Sequence, residues 1–125
     1  MWFFKRRPKY VQPSPEEMTF IPETSRPTVK LTRLGKYANR LPRGEQYFEI
    51  VPMEHGMSAV AKKGRFIGVL DTDRGVEASN YAYLAWINKR VPMATGVVRD
   101  TKDGVSVSLK IRTGNEEYSN LISFH

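Results

Sequence analysis

The sequence predicts a mainly β protein of the α+β class, a small, strongly bent sheet or barrel of five to six strands capped by one main helix. Short runs of β-branched and aromatic residues recur between turn signals from residue 28 onward. A single segment carries a convincing helical period. The length of 125 residues is that of one domain and excludes a (β/α)8 barrel or a two-domain enzyme.

Two strands begin the ordered region. Val29 and Leu31 alternate with polar residues, which predicts the first strand. A loop with turn residues then covers residues 35–43. Residues 46–51 are rich in strand formers and stop at Pro52, which predicts the second strand.

Two hairpins and a helix follow. Residues 58–70 place apolar runs on both sides of Lys62-Lys63-Gly64-Arg65, the pattern of a hairpin. Residues 76–89 have apolar spacings of three, four and seven, which predicts the helix, with Asp73 as its N-cap. Residues 94–98 and 105–111 alternate around Asp103-Gly104 and form a second hairpin. The last residues before the C-terminus suggest one more short strand: Leu121, Ile122 and Phe124.

The expected core joins the helix to the first hairpin. Leu84 and Ile87 should pack on Phe66, Ile67 and Val69 or Leu70, with Gly68 allowing a close approach of backbone. Tyr83 is expected in this core, whereas Trp86 is compatible with either the core or the surface.

The chain divides into a basic, Pro-rich flexible arm at residues 1–27 and a β domain at residues 28–125. Five of the eight prolines lie in the arm, and residues 11–27 show no sustained period, so we expect them to lack regular structure. The net charge of +7 comes entirely from residues 1–43, which hold ten basic and three acidic residues. Such an arm favours a polyanion or serves as a solubilising tail.

The sequence contains few of the groups that catalysis requires. It has no cysteine, no phosphate-binding glycine loop and no nucleophile elbow. Asp71 and Asp73 are interpreted as helix-start and loop residues rather than a metal site. We therefore expect a non-enzymatic protein without cofactor or metal, and with no export signal or membrane span, hence cytoplasmic.

The candidate binding residues lie in the loop after the first strand. Lys36, Tyr37, Asn39 and Arg40 interleave two cations, an aromatic ring and an amide beside a glycine. Single-stranded nucleic acids are bound by such groups, because a ring stacks on a base while cations meet phosphates. An exposed loop of this composition also occurs on proteins that bind nothing.

The order of these pieces resembles the HIRAN domain, a small β-barrel module of some helicase-like ATPases that also occurs as a stand-alone bacterial or phage protein. The similarity covers residues 29–111. It includes Leu41-Pro42-Arg43-Gly44-Glu45, Ser58-Ala59-Val60-Ala61 and Gly64-Arg65-Phe66-Ile67-Gly68-Val69-Leu70, followed by a helix and a strand.

The resemblance implies a barrel of the OB- or SH3-like kind that grips the 3′ end of single-stranded DNA. Lys36 and Tyr37 then fall in the arginine-aromatic part of the pocket. His55 stands where the family has a tyrosine, and Gly56 replaces an aspartate that meets the terminal hydroxyl. The missing acceptor, unless Glu54 replaces it, weakens the expectation of end specificity, since one such hydrogen bond is worth about 1–3 kcal/mol.

The leading hypothesis is a nucleic-acid-binding module, with single-stranded DNA favoured and Lys36, Tyr37, Asn39, Arg40 and His55 as the groove. A helicase or another protein is a further partner under this hypothesis. The alternative is a protein-interaction module with a degenerate pocket, in which Trp2, Phe3 and Phe4 of the arm bind a partner.

Overall fold

The computed structural model describes residues 11–53 and 57–111, with residues 72–77 described as backbone. This part of the chain forms seven strands, an α-helix and a 3-10 helix. In chain order these are β1 (Met18–Phe20), β2 (Val29–Lys30), the 3-10 helix (Lys36–Arg40), β3 (Gly44–Pro52), β4 (Ser58–Lys62), β5 (Arg65–Leu70), α1 (Thr72–Ile87), β6 (Val91–Thr101) and β7 (Gly104–Leu109).

The strands form one curled sheet in the order β2-β7-β6-β3-β4-β5, with antiparallel neighbours. The sheet curls so far that Thr32, which follows β2, forms an antiparallel bridge with Val69 of β5. The result is a half-barrel with one helix, and the predicted fold class is confirmed. The structure has one or two more strands than the sequence predicted, including β1. The strand suggested at residues 121–124 lies outside the described residues.

The arm is not free of regular structure throughout. β1 runs parallel to the first residues of β6, with Met18 opposite Val91 and Phe20 opposite Met93. Ile21 is buried in the core. The expectation that residues 11–27 lack regular structure is therefore wrong at residues 18–20. Three residues are too few to show a period of two, and β1 depends on hydrogen bonds from a strand distant in sequence.

Both predicted hairpins are present. The turn between β4 and β5 consists of Lys63 and Gly64, with φ angles of 50° and 77°. Two consecutive positive φ values define the type I′ turn, whose twist matches that of the two strands. The second hairpin, between β6 and β7, turns at Lys102 and Asp103, and Gly104 begins β7 with φ 130°.

The helix packs on the sheet with a different face from the one expected. Its buried stripe consists mainly of small residues, namely Ala78, Tyr81, Ala82 and Ala85. Tyr83 and Ile87 are about half exposed, at 51% and 49%, so their assignment to the core is wrong, and Trp86 is exposed as well. The sequence-based prediction assigns larger apolar side chains of the helix to the core. In the structure the small alanine side chains face the sheet, which lets the helix approach the sheet closely.

The helix also begins earlier than predicted, at Thr72 instead of residue 76. Asp73 therefore lies inside the first turn, and its assignment as the N-cap is wrong. On the sheet side, Ile67 and Leu70 are buried as expected, at no more than 1% exposed, while Leu84 is only half-buried. The helix nevertheless packs mainly on β3 and β6 instead of on the β4–β5 hairpin, so the expected partner of the helix is wrong.

Candidate functional site

The 3-10 helix is fixed against the edge of β5. The amide of Gly35 donates a hydrogen bond of 2.8 Å to the carbonyl of Ile67, and the amide of Ala38 donates to the carbonyl of Gly35 at 3.1 Å. Ala38 is fully buried and anchors the turn. The short helix consequently holds Tyr37 next to the β4–β5 turn, with its ring half-buried.

Three cations surround the Tyr37 ring. The guanidinium carbon of Arg65 lies 4.5 Å from the ring centroid, the Lys36 Nζ 5.3 Å and the guanidinium carbon of Arg40 5.6 Å. Each is within the roughly 6 Å range of cation-π attraction. The ring and the charges are thus held together before any ligand binds.

A cleft of about 320 Å³ opens beside this ring. Seven residues line it: Tyr37, Arg40, Leu41, Lys62, Lys63, Arg65 and Ile67. Four of them are cationic and none is acidic, while the remaining three supply an aromatic ring and apolar side chains. A concave site with one sign of charge raises the local concentration of anions.

Among the described residues, no ion pair joins the four cations of this cleft to a carboxylate. Lys62 Nζ donates a hydrogen bond of 2.6 Å to the carbonyl of Tyr47 and lies 5.5 Å from the Phe48 ring centroid. Burial, and then repulsion from Lys63, lower the pKa of Lys62. A bound anion would offset both effects because it stabilises the charged form of Lys62, so the cleft favours negatively charged ligands.

The structure brings together some of the predicted site residues. Lys36 and Arg40 both lie beside the Tyr37 ring, but of these three residues only Tyr37 and Arg40 line the cleft. Asn39 is outside the cleft lining, and its side-chain oxygen lies 3.7 Å from the position that a Cβ of Gly104 would occupy. On a 3-10 helix, successive residues point about 120° apart, which turns Asn39 toward the second hairpin. The placement of His55, and of Gly56 beside it, lies outside the described residues.

Sequence reasoning misses half of the cleft. From the sequence, Lys62, Lys63 and Arg65 are interpreted only as a hairpin turn, yet they form its second wall. The sequence feature that could have indicated this wall is the presence of three cations within four residues at a turn. Local sequence patterns do not predict the bridge between Thr32 and Val69, which brings this turn beside the 3-10 helix.

Other kinds of site find little support in the part of the chain that is described. Within residues 11–53 and 57–111, no three His, Cys, Asp or Glu residues cluster in a way that could hold a metal ion. No helix there combines the length and apolar character needed to cross a membrane.

Comparison of the chain with models of known protein families, with curated proteins and with solved structures finds no match.

Proposed function

We propose that this protein is a non-enzymatic nucleic-acid-binding module of the HIRAN type that binds single-stranded DNA. The observation that carries the proposal is the Tyr37 ring, which stands among three cations at the edge of a cleft that four basic residues line. This arrangement supplies the two interactions that single strands use, stacking for the base and positive charge for the phosphates.

The geometry suggests how a nucleotide would be held. A base can stack on the Tyr37 ring or on the planar guanidinium of Arg65, which is 4.5 Å from that ring. Arg40 and Lys63 are exposed at the cleft and able to meet the flanking phosphates. Neither interaction depends on the identity of the base, so this cleft provides affinity rather than sequence specificity.

A preference for 3′ ends is part of the proposal, and it rests on the HIRAN resemblance. Because Gly56 replaces the family's aspartate, the preference should be modest, and Gly56→Asp should strengthen it. The same resemblance makes a helicase a candidate partner. The absence of cysteine is compatible with a location in the cytoplasm, which we include in the proposal.

Fluorescence anisotropy with a labelled single-stranded oligonucleotide tests the stacking. Tyr37→Ala should weaken binding by about 1–3 kcal/mol, the usual value for one base on one ring. Tyr83→Ala is the matched control, since Tyr83 is an exposed tyrosine on α1 that does not line the cleft. Equal affinity of the wild-type protein and Tyr37→Ala would reject the pocket.

The salt dependence tests the phosphate contacts separately. Lys63→Asn combined with Arg65→Gln should reduce the slope of log affinity against log salt by about 0.7 for each phosphate that the variant no longer binds. Asparagine is chosen because it tolerates the φ of 50° at position 63. Deleting residues 1–10 removes four further cations and should lower the slope as well. An unchanged slope in both variants would show that phosphates are not bound by these residues.

The second candidate function is protein interaction, and one surface feature favours it. Tyr83, Trp86 and Ile87 are about half exposed on α1, and the first two rings lie 6.4 Å apart. Aromatic side chains of this kind dominate many protein interfaces. Partner binding that is insensitive to salt and abolished in Trp86→Ala would favour this function over DNA binding.

A further inference from the structure

A second, smaller cleft adjoins the first. Its volume is about 170 Å³, and Met18, Tyr47, Glu49, Lys62, Lys63 and Met93 contribute to its lining. Lys62 and Lys63 also line the Tyr37 cleft, so the basic β4–β5 turn is shared by both. Any chain that occupies the two clefts together would pass over these two lysines.

The position of Glu49 in the sheet explains how the second cleft is built. Tyr47 and Glu49 are two residues apart on β3, so their side chains share one face of the sheet. Glu49 is opposite Ala61 of β4 on one side and opposite Met93 of β6 on the other. Met18 of β1 adds a further apolar wall. The carboxylate is thereby placed beside the apolar side chains of Met18, Ala61 and Met93 in a cleft that Lys62 and Lys63 also line.

The carboxylate of Glu49 has unused capacity to accept hydrogen bonds. It is half-buried, and burial raises its pKa. Within the described part of the chain, no hydrogen bond or ion pair reaches its oxygen atoms. Beside it, Tyr47 is 56% exposed, and its ring packs edge-on against that of Phe20, with ring centroids 5.1 Å apart. The cleft thus offers an acceptor and an aromatic surface together.

We propose that this cleft is a second nucleotide subsite, in which Glu49 recognises an amino-bearing base, guanine best of all. The inference rests on the proposed binding of single-stranded DNA and adds a base preference to it. Guanine presents two neighbouring N–H donors on its Watson–Crick edge, which match the two oxygens of a carboxylate. Thymine offers one N–H between two carbonyls, and those carbonyls would repel the carboxylate.

The basic rim explains why a nucleotide suits the cleft better than a simple amine. Lys62 and Lys63 would repel a cationic ligand, although Glu49 alone would attract one. A nucleotide avoids this conflict because its neutral donors enter the cleft while its phosphate stays at the rim. The phosphate that links two consecutive nucleotides would then meet the lysines between the clefts.

The test uses thymidine oligonucleotides that carry one central guanine, inosine or thymine, with affinities measured on the full chain. The wild-type protein should favour guanine over thymine by about tenfold, and inosine, which lacks the amino group, should fall between them. Glu49→Gln should abolish or reverse the preference, because an amide can donate to a thymine carbonyl. Glu45→Gln on the same strand is the matched control, since Glu45 is 59% exposed and pairs with Lys110 at 3.0 Å instead.

The outcomes separate this inference from the one on which it rests. Equal affinity for the three oligonucleotides, or a preference that Glu49→Gln leaves unchanged, would overturn the base-reading subsite while binding through Tyr37 stands. No binding of any of the three would overturn both proposals. If Glu45→Gln and Glu49→Gln abolish the guanine preference equally, the preference comes from the overall charge of β3. That result would also reject the specific role of Glu49.

Discussion

Thr32 and Val69 exchange two backbone hydrogen bonds, of 3.0 Å and 2.8 Å, although they are 37 residues apart in the chain. This bridge joins the segment after β2 to β5 and thereby brings the two edges of the curled sheet together. The 3-10 helix that carries Tyr37 follows the bridge directly. The bridge, together with the hydrogen bond from Gly35 to Ile67, therefore positions the 3-10 helix at the cationic cleft.

Gly68 makes this closure possible, and substituting it should open the sheet. A Cβ at position 68 would lie 2.9 Å from Leu34 Cδ2 and 3.1 Å from the carbonyl oxygen of Thr32. That oxygen accepts the hydrogen bond from Val69 and is not free to move. We expect Gly68→Ala to cost about 1–3 kcal/mol in urea unfolding. A stability within about 0.5 kcal/mol of the wild type would show that the bridge yields easily.

Two isoleucines provide a matched test of the core. Ile67 is 1% exposed in β5, whereas Ile87 at the end of α1 is 49% exposed. Ile67→Ala should lower the free energy of unfolding by about 2–5 kcal/mol, because it leaves a cavity in the sheet interior. The same substitution at Ile87 should cost less than about 1 kcal/mol. Similar losses at both positions would contradict the orientation of the helix.

The sequence predicts the features that local patterns determine. The hairpin at β4–β5 follows from Lys63-Gly64, since that turn needs two positive φ values, and the strand at Ile50 follows from its neighbours. Composition alone points to Lys36, Tyr37 and Arg40 of the 3-10 helix. Features that depend on contacts between distant segments are missed, as for Lys62 and Arg65.

β1 and the helix face illustrate the same limit. β1 is formed by pairing with β6, and no pattern within residues 18–20 predicts that pairing. On α1, burial follows Ala82 and Ala85 rather than Tyr83, because the space between helix and sheet decides which side chains fit. Helix propensity and hydrophobic periodicity give no information about the distance between the helix and the sheet.

Arg90 holds β1 against the sheet, and its removal should release the strand. Its guanidinium donates hydrogen bonds to the hydroxyl of Thr19 and to the carbonyl of Met18, the latter at 3.0 Å. Arg90→Ala should raise amide exchange at Ile21, whose N–H bonds the carbonyl of Met93. Arg99→Ala, an exposed arginine on the same strand as Met93, is the control. Unchanged exchange at Ile21 would mean that backbone pairing alone holds β1.

Glu49 should make the stability of the protein depend on pH in a direction opposite to that of a salt-bridged carboxylate. Burial raises the pKa of Glu49 in the folded state above its usual value of 4.5. At pH values between the pKa of the unfolded state and that of the folded state, the folded protein therefore binds more protons than the unfolded protein. Stability therefore falls as the pH rises through this interval. Glu49→Gln should then be more stable than the wild type near pH 7, and this advantage should disappear below about pH 4.5.

Urea unfolding of Glu49→Gln and Glu45→Gln at both pH values checks this expectation. Glu45→Gln removes the ion pair with Lys110, so it should be neutral or slightly destabilising near pH 7. A Glu49→Gln variant that is less stable than the wild type at neutral pH would mean that the carboxylate has a stabilising partner. The two roles of Glu49 are connected, since a carboxylate that destabilises the free protein gains most when a ligand supplies its missing donors.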